Sequence, residues 1–263
     1  MMKNLLFFDI DGTLITNDKR KMFPQDALKA LVKTRENGNL IFINTGRVFC
    51  NIDDYIKDIG FDGYVCGCGS NIIYHNKVLL HNELSKKLCR DVAEKCREYK
   101  MGALYEYSDF TAYDIAVENS ERDILVEYFS KNNRRIITDI YDKNFQFDKF
   151  SAWYTEESRL SEFEKYIEKY FTYIDREGDF CELEPEGFSK ATGIEFLLNY
   201  FNLSKENVYV FGDGNNDIEM MNFAGHSVCM KKGSYDAIKA AEFVTDDVMD
   251  GGIKKALEYY NLL

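Results

Sequence analysis

The sequence is poor in the features that mark several large classes of protein. Its 263 residues include 2 prolines and 3 histidines, so no proline-rich linker is indicated, and the histidines are scattered rather than gathered in a motif. No block of lysines and arginines is present that could follow a nucleic-acid backbone. The 33 basic residues are outnumbered by 45 acidic ones, which gives a net charge of −12. Nucleic acid is therefore not expected as a partner.

Long apolar runs are also absent. No segment approaches the roughly 18 to 20 apolar residues that span a bilayer, and the apolar run at the N-terminus is interrupted at Asp9 before it reaches the length of a secretory signal. The 7 cysteines are odd in number and lack the regular spacing of a disulfide framework. We therefore expect a soluble, cytoplasmic protein that does not associate with membranes.

Short apolar runs typical of buried parallel strands occur near both ends of the chain. They are rich in Val, Ile and Phe and lie at residues 5–10, 40–44, 64–66 and 208–211. Between the first two, residues 25–38 carry apolar side chains at helical spacing and end in a glycine, which predicts a β-α-β unit.

The middle of the chain differs from its two ends. Helical patterns near 83–99 and 156–170 flank tyrosine-rich segments in which apolar and polar residues alternate, as expected of an α+β layer. The pattern of buried strands resumes after about residue 186. The sequence therefore predicts an α/β protein whose parallel-sheet domain, residues 1–81 and 186–263, is interrupted by an inserted α+β domain, residues 82–185.

Two carboxylates end the first apolar run, in the sequence FFDIDGTL at residues 7–14. Residues i and i+2 of a strand face the same side, so a strand continuing through Asp11 aims Asp9 and Asp11 at one spot. Gly12 permits a sharp turn immediately afterwards. In open α/β sheets, ligands bind at this end of the strands. The alternative is a strand that ends in solvent with an ordinary Asp-Gly turn.

A second polar loop, GDGNND at residues 212–217, follows the strand predicted at 208–211. It lacks the third glycine of a dinucleotide-binding loop, and Asp217 has the wrong charge to meet a pyrophosphate. Carboxylates from both loops gathered in one pocket repel one another by on the order of 4 kcal/mol per pair at about 4 Å. Such a site needs a cation, and oxygen ligands without nearby His or Cys favour Mg2+.

Two further segments carry groups suited to a phosphoryl ligand. Thr45, Gly46 and Arg47 follow the second predicted strand, which places a hydroxyl and the amides of a glycine turn at the same sheet edge. Lys190 stands at the start of a predicted helix. Each signal is weak alone, because Thr-Gly-Arg is a common loop and most lysines are solvated, so only the combination indicates a site.

With these four segments, the sequence resembles the haloacid dehalogenase-like (HAD) superfamily, and within it the Cof-type phosphatases. Residues 9–13 resemble its first motif, residues 45–47 its second, Lys190 its third, and residues 212–217 its fourth. The resemblance covers nearly the whole chain and implies a Rossmann-like core with a large α/β cap at residues 82–185. One departure is visible: where the family commonly has Asn-Gly-Ala, this chain has Cys68, Gly69 and Ser70, so contacts of that Asn are not carried over.

The resemblance implies a Mg2+-dependent phosphatase that hydrolyses a small phosphorylated metabolite, such as a sugar phosphate, through an aspartyl-phosphate. Asp9 is then the nucleophile, and Asp11 the general acid and base. The implied phosphate-binding residues are Gly12, Thr45, Gly46, Arg47 and Lys190. The implied metal ligands are Asp9, the backbone carbonyl of Asp11 and Asp213, with Asn216 and Asp217 as outer or alternate ligands. Arg47 has two open interpretations, support of its loop or contact with substrate from the rim.

Two other functions are compatible with parts of the pattern. A phosphomutase shares all four motifs, and release of inorganic phosphate without a bisphosphate activator distinguishes a phosphatase from it. A signalling receiver also gathers acidic residues, a threonine and a lysine at a sheet edge. Receivers place their acidic pair and phosphoacceptor on different strands, so the spacing of Asp9 and Asp11 argues against that class. No motif specifies the substrate or an oligomeric state.

Overall fold

The computed structural model describes residues 4–176 and 178–263, and the chain forms two compact units. The first unit contains residues up to 46, 54–80 and 189–263, and the second contains 47–53 and 81–188. The strands are β1 Leu5–Phe8, β2 Leu40–Asn44, β3 Gly63–Cys66, β4 Asn71–Tyr74, β5 Lys77–His81, β6 Gly102–Glu106, β7 Thr111–Tyr113, β8 Ile136–Ile137, β9 Lys149–Trp153, β10 Phe171–Arg176, β11 Phe180–Pro185, β12 Val208–Gly212, β13 His226–Cys229 and β14 Phe243–Val244. The α-helices are α1 Gln25–Glu36, α2 Asp54–Lys57, α3 Lys86–Glu98, α4 Ser120–Lys131, α5 Leu160–Ile167, α6 Lys190–Phe201, α7 Ile218–Phe223, α8 Tyr235–Ala240 and α9 Gly252–Tyr259.

The first unit is built on an eight-stranded sheet in the order β14-β13-β12-β1-β2-β3-β4-β5. The strands from β14 to β3 pair in parallel, and β4 turns back antiparallel to β3. Phe8, the last residue of β1, lies opposite Phe211 of β12 and Ile43 of β2. The carboxyl ends of these three neighbouring strands therefore meet at one edge of the sheet, where ligands bind in open α/β sheets.

The sheet is apolar because its central strands are covered. All four residues of β1 are 0% exposed, which explains why this strand is a continuous apolar run rather than an alternating one. Phe7 of β1 and Phe42 of β2 stack with ring centroids 5.2 Å apart, and both belong to one apolar cluster with Ile194 and Leu197 of α6. Burial of these side chains holds α6, and with it Lys190, against the sheet.

The first strand is shorter than the sequence suggests. β1 ends at Phe8, so Asp11 does not continue it as the alternation argument assumed. The backbone N–H groups of Thr13, Leu14 and Ile15 all donate to the carbonyl oxygen of Ile10, which winds the chain into a tight turn directly after the strand. Strand alternation therefore does not determine where Asp11 lies, and the turn determines it instead.

The second unit is built on a six-stranded sheet in the order β10-β11-β9-β6-β7-β8. Its pairs are antiparallel except for β7 and β8, which are parallel. One face carries an aromatic cluster centred on Tyr105, which is 0% exposed and lies 5.0 Å from Phe147 and 5.7 Å from Phe150 between ring centroids. The alternating aromatic residues of this segment thus pack as core.

The predicted α/β class with a parallel-sheet core is confirmed by these two sheets and by the structural comparisons given below. Across residues 4–176 and 178–263, no helix has both the length and the apolar character that crossing a membrane requires.

Candidate active site

Three carboxylates meet at the edge where β1 and β12 end. Asp9 directly follows β1, and its backbone N–H donates to the carbonyl oxygen of Phe211 at 2.9 Å, so it stays in register with β12. Asp213 and Asp217 belong to the loop that follows β12. One carboxylate oxygen from each of these three residues lies within 4.8 Å of the other two. The two acidic loops singled out in the sequence are therefore close together in the structure.

A buried lysine joins this cluster. Lys190 is the first residue of α6 and is 1% exposed. Its Nζ donates to Oδ1 of Asp9 and to Oδ1 of Asp217, each at 2.6 Å. The start of α6 is fixed by Ser189, whose Oγ accepts from the backbone N–H of Thr192 while the Thr192 hydroxyl oxygen accepts from the Ser189 N–H. This capping box sets the position of Lys190 in the chain.

Asp217 uses both of its carboxylate oxygens. Oδ1 accepts from Lys190, and Oδ2 accepts from the backbone N–H groups of Asp213 at 2.9 Å and Gly214 at 3.0 Å. The side chain is 0% exposed. Because backbone donors and a lysine surround it, Asp217 holds the loop in shape and orients Lys190 as well as adding charge to the cluster.

Gly12 and Thr13 connect the first loop to Asp213. Gly12 has φ +81°, and a Cβ built on it would lie 2.2 Å from Oδ2 of Asp213. Only glycine fits both the left-handed backbone and this close approach. The hydroxyl of Thr13 donates to Oδ1 of Asp213 at 3.3 Å. The glycine that the sequence suggested as a turn therefore also makes room for an acidic side chain from the other loop.

Asp11 lies beside a residue that no motif indicated. Its Oδ1 accepts from Nζ of Lys21 at 2.7 Å, and both side chains are partly exposed. Lys21 lies ten residues further along in a polar loop without recognisable spacing, so the sequence offered no signal for it.

Thr45 lies at the same sheet edge, directly after β2. It is 2% exposed, its N–H donates to the Val65 carbonyl oxygen at 2.9 Å, and its own carbonyl oxygen accepts from the N–H of Cys68 at 3.1 Å. Gly46 follows it in the same turn. These backbone bonds tie the Thr45 loop to β3 and the turn after it, which gives Thr45 a fixed position at the edge.

Two other predicted site residues, Arg47 and Asn216, are not members of the carboxylate cluster. Arg47 belongs to the second unit, where its Nη1 donates to the Asn51 carbonyl oxygen at 3.2 Å and to Oδ2 of Asp53 at 3.1 Å. Asn216 is exposed in the short 3₁₀ turn at the end of the acidic loop. The contacts of Arg47 agree with the interpretation that it supports its own loop.

The charges of the cluster shift the pKa values of its members. Burial raises the pKa of Asp9, and the neighbouring carboxylate of Asp217 adds to this, although the Lys190 ammonium opposes it. Burial and the Asp217 charge likewise raise the pKa of Asp213 to about 6. Burial disfavours a charged Lys190, but Asp217 and Asp9 more than offset it and raise its pKa. One ammonium therefore does not fully compensate three carboxylates.

The donor set of this cluster fits a hard divalent cation. Asp9, Asp213 and Asp217 offer oxygen atoms only, which is the chemistry that Mg2+ prefers over zinc. The raised pKa of Asp213 comes from burial and from its acidic neighbour, a situation that a bound cation relieves. Since Asp217 already serves Lys190 and two backbone N–H groups, Asp9 and Asp213 are the carboxylates best disposed to hold the ion.

Comparison with known proteins finds similar sequences and folds over nearly the whole chain. Residues 6–257 match the sequence pattern of the haloacid dehalogenase-like hydrolase family. The phosphoglycolate phosphatase of Methanococcoides burtonii is 27% identical over 264 residues, which cover 98% of this chain and 97% of that protein. A hypothetical protein from Geobacillus kaustophilus HTA426 has a crystal structure that superposes with a TM-score of 0.85 at 26% identity, covering 99% of this chain and 100% of the other. The HAD subclass IIB sugar phosphatase BT4131 superposes with a TM-score of 0.81 at 24% identity and 99% and 100% coverage.

The chain belongs to the haloacid dehalogenase-like hydrolase family, because the family pattern spans almost its entire length. The resemblance inferred from the four motifs is thereby confirmed. The prediction that the chain is an enzyme of the phosphoric monoester hydrolase class is confirmed as well.

Proposed function

We propose that this protein is a Mg2+-dependent phosphatase that hydrolyses a small phosphorylated metabolite, a sugar phosphate, through an aspartyl-phosphate intermediate. The observation that carries the proposal is Lys190, whose ammonium lies 2.6 Å from both Asp9 and Asp217 beside a third carboxylate, Asp213. A buried ammonium and a cation site next to one carboxylate attract a dianionic phosphate, and positive charge there opposes the burial that raises the pKa of Asp9, which favours the ionised nucleophile.

Asp9 is the proposed nucleophile. Its Oδ attacks the phosphorus in line, the bond from phosphorus to the leaving oxygen breaks, and the phosphoryl group is carried on Asp9. Lys190 stabilises the charge on the phosphoryl oxygens, and the Thr45 hydroxyl and the Gly46 amide add donors from the neighbouring strand end. Gly12 lets the backbone after Asp9 turn closely past Asp213.

Asp11 is the proposed general acid and base. It gives a proton to the leaving oxygen in the first step and takes one from the attacking water in the second, which releases inorganic phosphate and restores Asp9. The partly exposed position of Asp11, beside Lys21 rather than inside the carboxylate cluster, supports a role distinct from that of the buried Asp9.

Mg2+ would be held by the Asp9 carboxylate, the Asp11 backbone carbonyl and Asp213, with Asn216 and Asp217 as outer ligands. When bound it supplies positive charge that offsets the phosphate dianion and the crowded carboxylates. The raised pKa of Asp213 and the oxygen-only donor set support this assignment.

The second unit is the proposed source of substrate selectivity. We assign residues 1–81 and 186–263 to a catalytic core and residues 82–185 to a cap. The carboxylate cluster belongs entirely to the first unit, which leaves the second free to differ among enzymes with the same chemistry. A small metabolite as substrate is supported by the relative named for phosphoglycolate.

The test uses purified protein, Mg2+ and p-nitrophenyl phosphate, followed by a panel of sugar phosphates with phosphate release as the readout. Wild-type protein is expected to turn over, to lose activity with EDTA and to regain it with added Mg2+. Asp9→Asn is expected to lose at least about 10³-fold in kcat, while the exposed Asp236→Asn serves as a matched control with unchanged activity.

Trapping provides the second readout. The wild-type protein, denatured during turnover, is expected to carry one acid-stable phosphoryl group that maps by mass spectrometry to Asp9 and is absent from Asp9→Asn. Full activity in Asp9→Asn, or a phosphoryl group on another residue, contradicts the nucleophile assignment. Transfer of phosphate to a second sugar hydroxyl without release of inorganic phosphate supports a phosphomutase instead.

A further inference from the structure

The loop after the first motif is folded so that it presents a lysine to Asp11. The N–H of Thr16 donates to the Met22 carbonyl oxygen, and the N–H of Met22 donates to Oγ1 of Thr16, each at 3.0 Å. These two bonds close the base of a loop that runs from residue 16 to residue 22. Lys21 stands next to this base, and its Nζ lies 2.7 Å from Oδ1 of Asp11.

The backbone of Lys21 is held on both sides. Its N–H donates to the Asp18 carbonyl oxygen at 3.2 Å, and its own carbonyl oxygen accepts from the Tyr55 hydroxyl at 3.3 Å. Lys21 also has φ +47°, a left-handed conformation that a lysine keeps only where its surroundings fix it. The Lys21 ammonium therefore contacts Asp11 from a backbone position that hydrogen bonds hold in place.

The same loop borders the proposed reaction site. Residues 16, 17, 18 and 20 line a cleft of about 410 Å³ that also reaches Gly12 and Asp213. Lys21 belongs to this loop, and Lys21, Asp11 and the cleft-lining residues named here all lie in the first unit.

From this geometry we propose that Lys21 is a positioning residue for Asp11: its ammonium holds the carboxylate in the orientation from which Asp11 transfers protons during phosphoryl transfer. The proposal rests on the proposed function, since it assumes that Asp11 is the general acid and base. In this proposal Lys21 acts through Asp11, whose Oδ1 it contacts, and not on the phosphoryl group.

The proton transfers define what Lys21 should affect. In the first step the Asp11 proton goes to the leaving oxygen as its bond to phosphorus breaks and the bond from Asp9 to phosphorus forms. In the second step water attacks the phosphorus, Asp11 takes a proton from that water, and the bond to Asp9 breaks. The sum is a phosphate monoester and water giving an alcohol and inorganic phosphate, with Asp11 and Lys21 unchanged.

A poor leaving group needs the proton of the first step, whereas p-nitrophenolate leaves without it. Because kcat/KM reports the steps up to the first irreversible one, it isolates the acid role of Asp11 from its later base role. A misplaced Asp11 should therefore lower kcat/KM for an alkyl phosphate more than for an aryl phosphate.

The experiment compares wild type, Lys21→Met, Lys21→Arg, Lys19→Met and Asp11→Asn with glycerol phosphate and p-nitrophenyl phosphate. We expect Lys21→Met to lower kcat/KM for the alkyl ester by about 10-fold and for the aryl ester by less than about 3-fold. Lys21→Arg should restore most of the loss, because it keeps a cation in reach of Asp11. Lys19 is exposed in the same loop. Its substitution should leave kcat/KM unchanged for both the alkyl and the aryl ester.

Three outcomes overturn the proposal. Equal losses for both esters in Lys21→Met mean that Lys21 acts on phosphate attraction or on stability, not on the acid. An unchanged kcat/KM of Lys21→Met for the alkyl ester means that Asp11 does not depend on Lys21. An Arg variant as poor as the Met variant means that the cation is not the active feature. If Asp11→Asn itself shows no leaving-group preference, the role of Asp11 in the proposed function fails independently of Lys21.

Discussion

Each unit of the molecule contains a buried lysine, and the two lysines differ in their surroundings. Lys190 of the first unit is 1% exposed and lies 2.6 Å from two carboxylates in loops at strand ends. Lys149 of the second unit is 3% exposed and belongs to the regular strand β9, where Oε atoms of Glu182 and Glu184 lie 3.6 Å from its Nζ. One lysine is thus held tightly at a sheet edge, and the other shares a strand face with acidic neighbours.

The pKa shifts of the neighbouring carboxyl groups separate the two lysines only in part. Around Lys190, burial and acidic neighbours raise the pKa of Asp213 to about 6, so the cluster has more negative charge than its lysine offsets. Around Lys149 the shifts run in both directions. Burial disfavours a charged Glu182, but Lys149 and Arg176 outweigh it and lower the pKa of that carboxyl, whereas burial raises the pKa of Glu106 although Lys149 opposes it. The two sets therefore differ chiefly in where they lie: carboxylates gathered in loops at strand ends are typical of a reaction site, whereas charges on the face of a regular strand are typical of structural ion pairs.

Removal of the Lys190 ammonium should affect both stability and activity more than any other change considered below. Lys190→Met leaves Asp9 and Asp217 buried without their cation, so we expect the free energy of unfolding to fall by about 3–5 kcal/mol. We also expect kcat to fall at least about 10³-fold, because phosphoryl oxygens lose a charged donor. Chemical denaturation and phosphate-release assays measure the two effects.

Added Mg2+ should separate the effect of Lys190 on stability from its effect on catalysis. A divalent ion bound by Asp9 and Asp213 should recover part of the lost stability in Lys190→Met without restoring the rate, since the variant still lacks the donor to the phosphoryl group. Retention of more than about a tenth of wild-type kcat in folded Lys190→Met contradicts the role of this lysine in catalysis.

Lys149→Met is the matched change in the second unit. We expect a loss of about 1–3 kcal/mol in unfolding free energy, because the carboxyl groups of Glu106, opposite Lys149 in the pairing of β6 with β9, and of Glu184 remain buried beside an apolar side chain. Turnover of p-nitrophenyl phosphate by the folded variant should stay within about 3-fold of wild type. A loss of kcat as deep as that of Lys190→Met, at a temperature where the protein is folded, contradicts the division between the two lysines.

Much of the site could be predicted because the end of a buried strand is visible in the sequence as an apolar run followed by polar residues. An apolar run that stops at two aspartates or at a glycine-rich acidic loop predicts a strand with acidic groups at its end. The positions of Asp9, Asp213 and the helix beginning at Lys190 could be predicted in this way. The parallel order of the strands then brings these ends together.

What could not be predicted depends on turns and on distant contacts. Alternation along a strand suggested the direction of Asp11, but β1 ends at Phe8 and a tight turn follows. The partner of Asp11, Lys21, comes from a loop whose closure depends on Thr16 and Met22. Local sequence patterns carry the period of a helix or a strand and contain no comparable signal for such loops.

The smallest expected effect concerns His81 of the second unit and its charged neighbour Asp148. The His81 Nε2 lies 2.9 Å from Oδ1 of Asp148, which is 1% exposed, and its Nδ1 lies 3.6 Å from Oε1 of Glu83. Burial disfavours the imidazolium, but the hydrogen bond and charge of Asp148, with the charges of Glu83 and Asp109, outweigh it and raise the pKa of His81. Asp148 and Glu83 thus face the two ring nitrogens, and the Tyr107 ring lies 5.3 Å away between centroids.

The sign of the pH dependence follows from this raised pKa. A histidine whose pKa is higher in the folded protein binds its proton more tightly there, so its stabilising contribution is complete below the unfolded value of about 6.5 and is lost as pH rises through the folded value. Replacing His81 by Gln should therefore lower Tm more at about pH 5.5 than at about pH 9, by the equivalent of about 1 kcal/mol in unfolding free energy.

His75→Asn, at an exposed histidine of the first unit with φ +45°, is the control, since asparagine accepts this backbone conformation. It should change Tm equally at the two pH values. An equal change in His81→Gln at both values contradicts a charged pair with Asp148. If instead the difference between the two pH values is found and kcat for p-nitrophenyl phosphate is unaltered, the charges of the second unit act on folding while those of the first act on the reaction.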